Sequence, residues 1–180
     1  EFIFCALEQN LDIAATRKNY VDYLAHRPRV EKIGEHGLFT DEGEPVVLGQ
    51  VQNQVADHKG IVWTHVISLR REDAARLGYD SAVQWMALLR SKRAMLCKHM
   101  KIDSANLKWY AAFHNESHHP HVHLLVYSVK DGEGYLTKQS IEAMRSELAH
   151  DIFRQDFANI YEEQAQSRMD LKERSEVVMK

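Results

Sequence analysis

The chain has 180 residues, 44% of them hydrophobic and 27% charged, the balance of a soluble globular domain with a sizeable core. Its formal net charge of −3 argues against a uniformly basic nucleic-acid coat, and no apolar run has the length of a membrane span or the layout of a signal peptide. Cys5 and Cys97 stand far apart without ligand or redox spacing, so they read as reduced core thiols rather than a disulfide framework. A cytoplasmic protein is therefore expected. The first residue is not Met and the C-terminal end is charged, so residues 1–180 are expected to be one domain cut from a longer protein.

In chain order, residues 2–5 are a short apolar run suited to a first or edge strand. From Asp12 the apolar positions Ala14, Ala15, Tyr20, Val21 and Leu24 predict a helix, which Pro28 ends by pushing the preceding residue out of the α region. Tyr20 and Tyr23 are three apart and share a face of it. Residues 31–43 read as a glycine-rich polar loop, and 45–58 hold a short helix with Val47, Leu48, Val51 and Val55 on one side. Residues 61–69 alternate as a strand, with His65 among bulky apolar neighbours and expected to be a hydrogen-bonded core residue.

Residues 72–100 are helical with a break near Gly78 to Asp80. Asp80 or Ser81 is placed to cap the second piece, with Val83, Met86, Leu89, Met95 and Leu96 buried. Two further strands, 107–114 and 121–128, flank the polar turn 115–120 and must be antiparallel. Residues 130–134 form a turn. Thr137 then caps a last long helix running beyond Arg168, with Ile141, Met144, Leu148, Ile152, Phe153, Ile160 and Tyr161 as its apolar stripe. This order predicts an α+β fold, a two-layer sandwich with a mainly antiparallel central sheet and helices on one face.

The chemistry concentrates at residues 114–123, where five histidines fall within ten positions. His121 and His123 are two apart on a strand and so point to the same face. The hairpin brings His114 within reach of both. Three neutral imidazoles with open coordination positions make a catalytic rather than a closed structural metal arrangement. His118 and His119 read equally well as ordinary turn residues. Positive residues cluster as Arg17, Lys18, Arg27, Arg29 and Lys32, as Arg70 and Arg71, and as Arg90, Lys92, Arg93, Lys98 and Lys101, the last group suiting a solvated helix face.

These stretches together resemble a known family. The histidine hairpin, preceded by Asn-Tyr-Val-Asp-Tyr-Leu-Ala-His-Arg-Pro at 19–28, is similar to plasmid mobilisation relaxases. Val-Trp-Thr-His-Val-Ile-Ser-Leu-Arg-Arg-Glu at 62–72, Trp-Tyr-Ala-Ala-Phe-His-Asn-Glu at 109–116 and His-Pro-His-Val-His-Leu-Leu-Val-Tyr-Ser at 119–128 resemble the MobL/MobP branch. The likeness runs from about Arg17 to Arg168.

The resemblance implies an HUH-type endonuclease that nicks one DNA strand at an origin of transfer and later religates it. A tyrosine attacks the phosphodiester and stays joined to the 5′ end. A tyrosine followed by Leu and then a basic tract is the family's setting, which selects Tyr23, with Tyr20 as the alternative nucleophile or a base-stacking residue. His114, His121 and His123 would hold a divalent cation, Mg or Mn being favoured by the resemblance and Zn, Ni or Co compatible with imidazole ligands. The cation offsets phosphate charge and aids deprotonation of a phenol whose reference pKa is about 10.

Glu116 is placed either to orient a ligand imidazole from outside or to serve as a solvated turn residue. The family's acidic residue before the His-Pro-His run is His118 here, a departure that bears on that assignment. Single-stranded DNA at the origin is the implied partner, with a conjugation coupling protein and accessory DNA-binding proteins, and without membrane insertion. Arg17, Lys18, Arg27, Arg29, Arg70 and Arg71 would contact its phosphates, with Lys108 and Tyr110 lining the path. Two other classes fit parts of the pattern. His119, His121 and His123 resemble the histidine-triad nucleotide hydrolases, which leaves His114 and Tyr23 without a role, and a non-catalytic DNA-binding module would use the metal structurally.

Overall fold

The computed structural model describes residues 2–9 and 14–178, with the side chains of residues 5–9, 14, 15 and 178, and the expected helix start at Asp12, outside what is described. Strands β1 (Phe2–Gln9), β2 (Val62–Leu69), β3 (Leu107–His114) and β4 (His121–Ser128) form one sheet in the order β1-β2-β4-β3. Every pairing is antiparallel, and His114 faces His121 directly across the β3–β4 hairpin. Two units are distinguished, Glu1–Arg145, which holds the sheet, and Ser146–Lys180.

Helices α1 (Ala14–His26) and α2 (Leu48–Asp57) cover one face of the sheet. Val21, Leu24 and Ala25 of α1 and Val51 and Val55 of α2 bury against Val62, Tyr110, Ala112, Leu125 and Tyr127. Helices α3 (Arg71–Leu77), α4 (Ala82–Ser91) and α5 (Arg93–Met100) follow β2. Trp85 of α4 stacks on Phe113, ring centroids 6.2 Å apart, and Phe113 points to the face opposite Ala112. The α+β class and the antiparallel sheet are as expected, but helices lie on both faces rather than one. The cause is in β3 and β4 themselves. Their alternate residues are apolar in both directions, and almost every one is buried, so neither face can be left in water.

Other differences have local causes. The 72–100 helix breaks twice, at Gly78 with φ +83° and at Lys92, which separates α4 from α5. Ser81 makes no side-chain capping bond among the described residues, and the Ala82 N–H at the start of α4 donates to the Glu31 carboxylate at 3.0 Å. Val83 is exposed. The loop after α1 is pinned to the outer edge of β3 through bridges of Val30 with His114 and Phe39 with Ala111. Cys97 is a free, half-buried thiol rather than a core one.

His65 is fully buried as expected, yet neither ring nitrogen has a hydrogen-bond partner among the described residues. It stacks on Phe4 at 5.4 Å, and burial holds its pKa down to about 3, so it is a neutral ring used for packing.

Helix α6 (Lys138–Ile152) begins in the first unit, where Met144 is buried. The last helix is two, since α7 (Arg154–Val178) starts after Phe153. Ile160 and Tyr161, expected to be buried, are exposed on α7, which is polar around most of its circumference and carries local pairs such as Gln155 with Asn159. Among the described residues no helix is long and apolar enough to cross a membrane.

Candidate active site

The three expected ligands meet at one end of the hairpin. Ring centroids are 5.3 Å apart for His114 and His121, 4.8 Å for His114 and His123, and 5.0 Å for His121 and His123. Their nearest donor nitrogens lie within 4.8 Å of one another. Local sequence explains the room they have. His123 pairs across the sheet with Ala112, whose methyl leaves space for the imidazoles on that face. His114 is fully buried, while His121 and His123 are half-buried at the open side.

Backbone carbonyls orient two of the rings. His114 Nε2–H donates to the Leu24 carbonyl of α1 at 3.1 Å, leaving Nδ1 with a lone pair and no partner. His121 Nδ1–H donates to the His119 carbonyl at 2.9 Å, which leaves Nε2 for a ligand. His123 has both ring nitrogens buried and, among the described residues, unpartnered. Burial is the leading cause that lowers all three pKa values, to about 4 for His114 and about 3 for His123, and the Arg27 guanidinium adds to it. Neutral imidazoles with inward lone pairs and no protein partner are what a divalent cation requires, so the donor set fits a metal. His118 and His119 are exposed in the turn, and the three-ring cluster contains His114 rather than His119.

The two tyrosines of α1 differ sharply. Tyr23 is 46% exposed, with the Arg27 guanidinium 5.4 Å from its ring centre one turn on. Tyr20 is half-buried, hydrogen-bonds with Thr64 of β2, and is pushed up to about 12, mainly by burial. Their rings stack at 6.3 Å. Glu116 makes no bond to an imidazole among the described residues. Its carboxylate pairs with Arg27 and with Arg29, each at 3.6 Å. Arg29 has φ +71°, a region that costs a non-glycine residue of order 1–3 kcal/mol, and its carbonyl is held by the Asn115 N–H at 2.8 Å.

The remaining expected DNA contacts separate into two groups. Lys18 and Arg70 are exposed, and Arg27 and Arg29 lie beside Tyr23 and the hairpin turn. Arg17 is buried, its guanidinium bound to the His58 and Gly60 carbonyls, so it holds α1 to the chain entering β2. Arg71 holds the hairpin turn through Asn115 Oδ1 and the Glu116 and Ser117 carbonyls. Tyr110 packs in the core below α1 and α2, its hydroxyl 3.4 Å from Gln54 Oε1. Lys108 is exposed six residues from His114, roughly 20 Å along the strand, in a cleft with Asp41, Glu44 and Arg93. Sequence reasoning missed Thr64 and the carbonyls of Leu24 and His119; only the strand face of Thr64 gave any signal.

No curated protein and no solved structure matches the chain. The family model of the MobL relaxases matches residues 13–178, a span that includes α1, the whole histidine hairpin and α7. With a match over nearly its full length, and with the histidine cluster and α1 joined as described, this chain belongs to the MobL relaxases.

Proposed function

We propose that the protein nicks one strand of plasmid DNA at an origin of transfer, as an HUH-type transesterase with Tyr23 as nucleophile. The observation that carries this reading is the bond from His114 to the Leu24 carbonyl, which ties the imidazole cluster to the residue beside Tyr23. Exposure of Tyr23 supports it as the attacking group, while Tyr20, half-buried and hydrogen-bonded to Thr64, is better suited to supporting the helix face.

In the proposed step, the Tyr23 hydroxyl releases its proton to solvent as its oxygen bonds to phosphorus, the bond from phosphorus to the 3′ oxygen breaks, and the freed 3′ oxygen takes up a proton from solvent. The 5′ phosphate stays on Tyr23 as an aryl ester, which is a competent leaving group when the 3′ hydroxyl returns to religate. His114, His121 and His123 would hold a divalent cation, Mg or Mn, which supplies Lewis-acid stabilisation of phosphate charge when bound. Arg27 lies over the Tyr23 ring, 5.4 Å from its centre, and would contribute a positive charge to a phosphodiester bound beside it. Lys18, Arg29 and Arg70 add phosphate contacts, and the coupling and accessory proteins of conjugation complete the proposed set of partners.

A labelled single strand carrying the cognate origin, incubated with Mn²⁺ or with chelator, tests the reading. Expected is metal-dependent cleavage with protein attached to the 5′ end, lost in Tyr23→Phe and His121→Ala and kept in Tyr20→Phe. Loss in Tyr20→Phe alone would move the nucleophile one turn back along α1. Absence of any adduct on the true origin would reject the reading.

A further inference from the structure

Arg27 and Arg29 converge on the single carboxylate of Glu116, 3.6 Å from each. The arrangement is built into the backbone. The Glu116 N–H donates to the His114 carbonyl at 2.9 Å, and the Glu116 carbonyl accepts from Arg71. Arg29 reaches its place through a left-handed backbone that the Asn115 N–H holds. Both 3.6 Å separations exceed hydrogen-bond length, and all three side chains are between 30% and 54% exposed, so the carboxylate is accessible and loosely held. Two guanidiniums outnumber one carboxylate, and Arg27 also lies over the Tyr23 ring.

A carboxylate presents two oxygens sharing one negative charge, as do the non-bridging oxygens of a phosphodiester. We propose that Glu116 is an internal counter-anion occupying a phosphate seat formed by Arg27 and Arg29, and that a phosphodiester of the bound strand displaces it. The proposal rests on the relaxase reading only for the identity of the ligand as DNA. Without DNA, Glu116 keeps the two guanidiniums converged and their charge screened. Any strand that enters must outcompete a tethered anion, so loosely fitting DNA is disfavoured while a strand with other good contacts is admitted.

The test is binding of the full chain to a labelled oligothymidylate in chelator, read by fluorescence anisotropy. Glu116→Gln is expected to tighten binding roughly threefold to tenfold, the range for exchanging two half-exposed ion pairs. In an Arg29→Gly background, which removes the cation while suiting the positive φ, the same substitution is expected to change affinity by less than about twofold. Unchanged or weaker binding by Glu116→Gln overturns the proposal. So does equal tightening in both backgrounds, which would be simple relief of charge repulsion.

Should Glu116→Gln fail to fold, the arginine Nε–H resonances of the intact protein titrated with the same oligonucleotide decide. Shifts of both Arg27 and Arg29 support displacement, and two unmoved resonances overturn it. Nicking of the cognate origin by the unaltered protein is scored separately. Nicking without the Glu116→Gln effect removes the seat and keeps the function, whereas the effect without nicking does the reverse.

Discussion

The Leu24 carbonyl accepts the Nε2 hydrogen of His114 at 3.1 Å, so one helix fixes both the exposed tyrosine and the tautomer of the most buried imidazole of the three-histidine cluster. The bond spans ninety residues of sequence and turns two separate features, a tyrosine helix and a histidine hairpin, into one site. His114 and His121 should therefore differ when replaced. His114→Ala removes a buried ring and its tie to α1, with an expected loss of about 2–4 kcal/mol of stability. His121→Ala lies at the open side and is expected to lose under about 1 kcal/mol. Denaturant unfolding in chelator measures both, and added metal should raise the Tm of neither variant as much as it raises that of the unaltered protein. Equal destabilisation would contradict the geometry.

Tyr20 and Tyr23 predict opposite phenotypes. Tyr23→Phe, at an exposed position, is expected to leave stability within about 0.5 kcal/mol while eliminating the covalent adduct. Tyr20→Phe breaks the bond with Thr64 and is expected to lose roughly 1 kcal/mol while keeping the adduct. Thermal melts alongside the cleavage assay separate the two roles.

Acid should destabilise the fold in a defined direction. His65 is held at about 3 by burial, against about 6.5 in the unfolded chain. Between those values the unfolded state binds more protons, so stability is complete above about pH 6.5 and is lost as pH falls toward 3. His114 and His123, at about 4 and about 3, act with the same sign in metal-free protein. His65→Leu is expected to reduce the acid slope by up to about 1.4 kcal/mol per pH unit, one proton's worth. Urea unfolding at pH 7 and pH 5 in chelator measures it, and an unaltered slope would show that His65 does not titrate on unfolding.

Arg71 was expected to contact DNA, and its bonds to Asn115, Glu116 and Ser117 give it another consequence. Arg71→Ala is expected to loosen the turn and weaken metal affinity by roughly tenfold to a hundredfold, since the turn sets the approach of His114 and His121. Amide exchange at residues 115–119 should accelerate. Weaker DNA binding with unchanged metal affinity and exchange would instead make Arg71 a plain phosphate contact.

Most of the site was legible because its signals are local. His121 and His123 share a strand face by the two-residue period, and the polar turn brought His114 opposite them. Tyr23 was selected by the family resemblance, through the Leu and basic tract that follow it. What escaped was whatever the backbone supplies or distant chain segments share. A carbonyl such as that of Leu24 has no residue-type signature, and Glu31 reaches the start of α4 from fifty-one positions away. Clustered arginines looked equivalent in sequence, yet backbone carbonyls within reach made buried Arg17 and half-buried Arg71 ties within the protein, while Arg27 and Arg29 meet the Glu116 carboxylate at the surface. The apolar residues on both sides of β3 and β4 did announce two covered faces, a pattern that a hairpin read for its histidines alone passes over.

His114 is fixed twice by the same short stretch, its ring by the Leu24 carbonyl and its backbone position by the bridge opposite Val30, where Glu31 N–H donates to the Phe113 carbonyl and Asn115 N–H to the Arg29 carbonyl. Residues 24–30 thus close a clasp of fixed length around one candidate ligand. One residue inserted there would turn Tyr23 by about 100° around α1 relative to the imidazoles, or else open the clasp. The loop at 41–47 is held at Asp41 by Arg93 and at Val46 by His36, neither of them an imidazole of the cluster, and between those holds it can absorb added residues at small entropic cost. Relatives that keep the chemistry should therefore vary in length across 41–47 and hold the count between the tyrosine and the Val30 pairing constant.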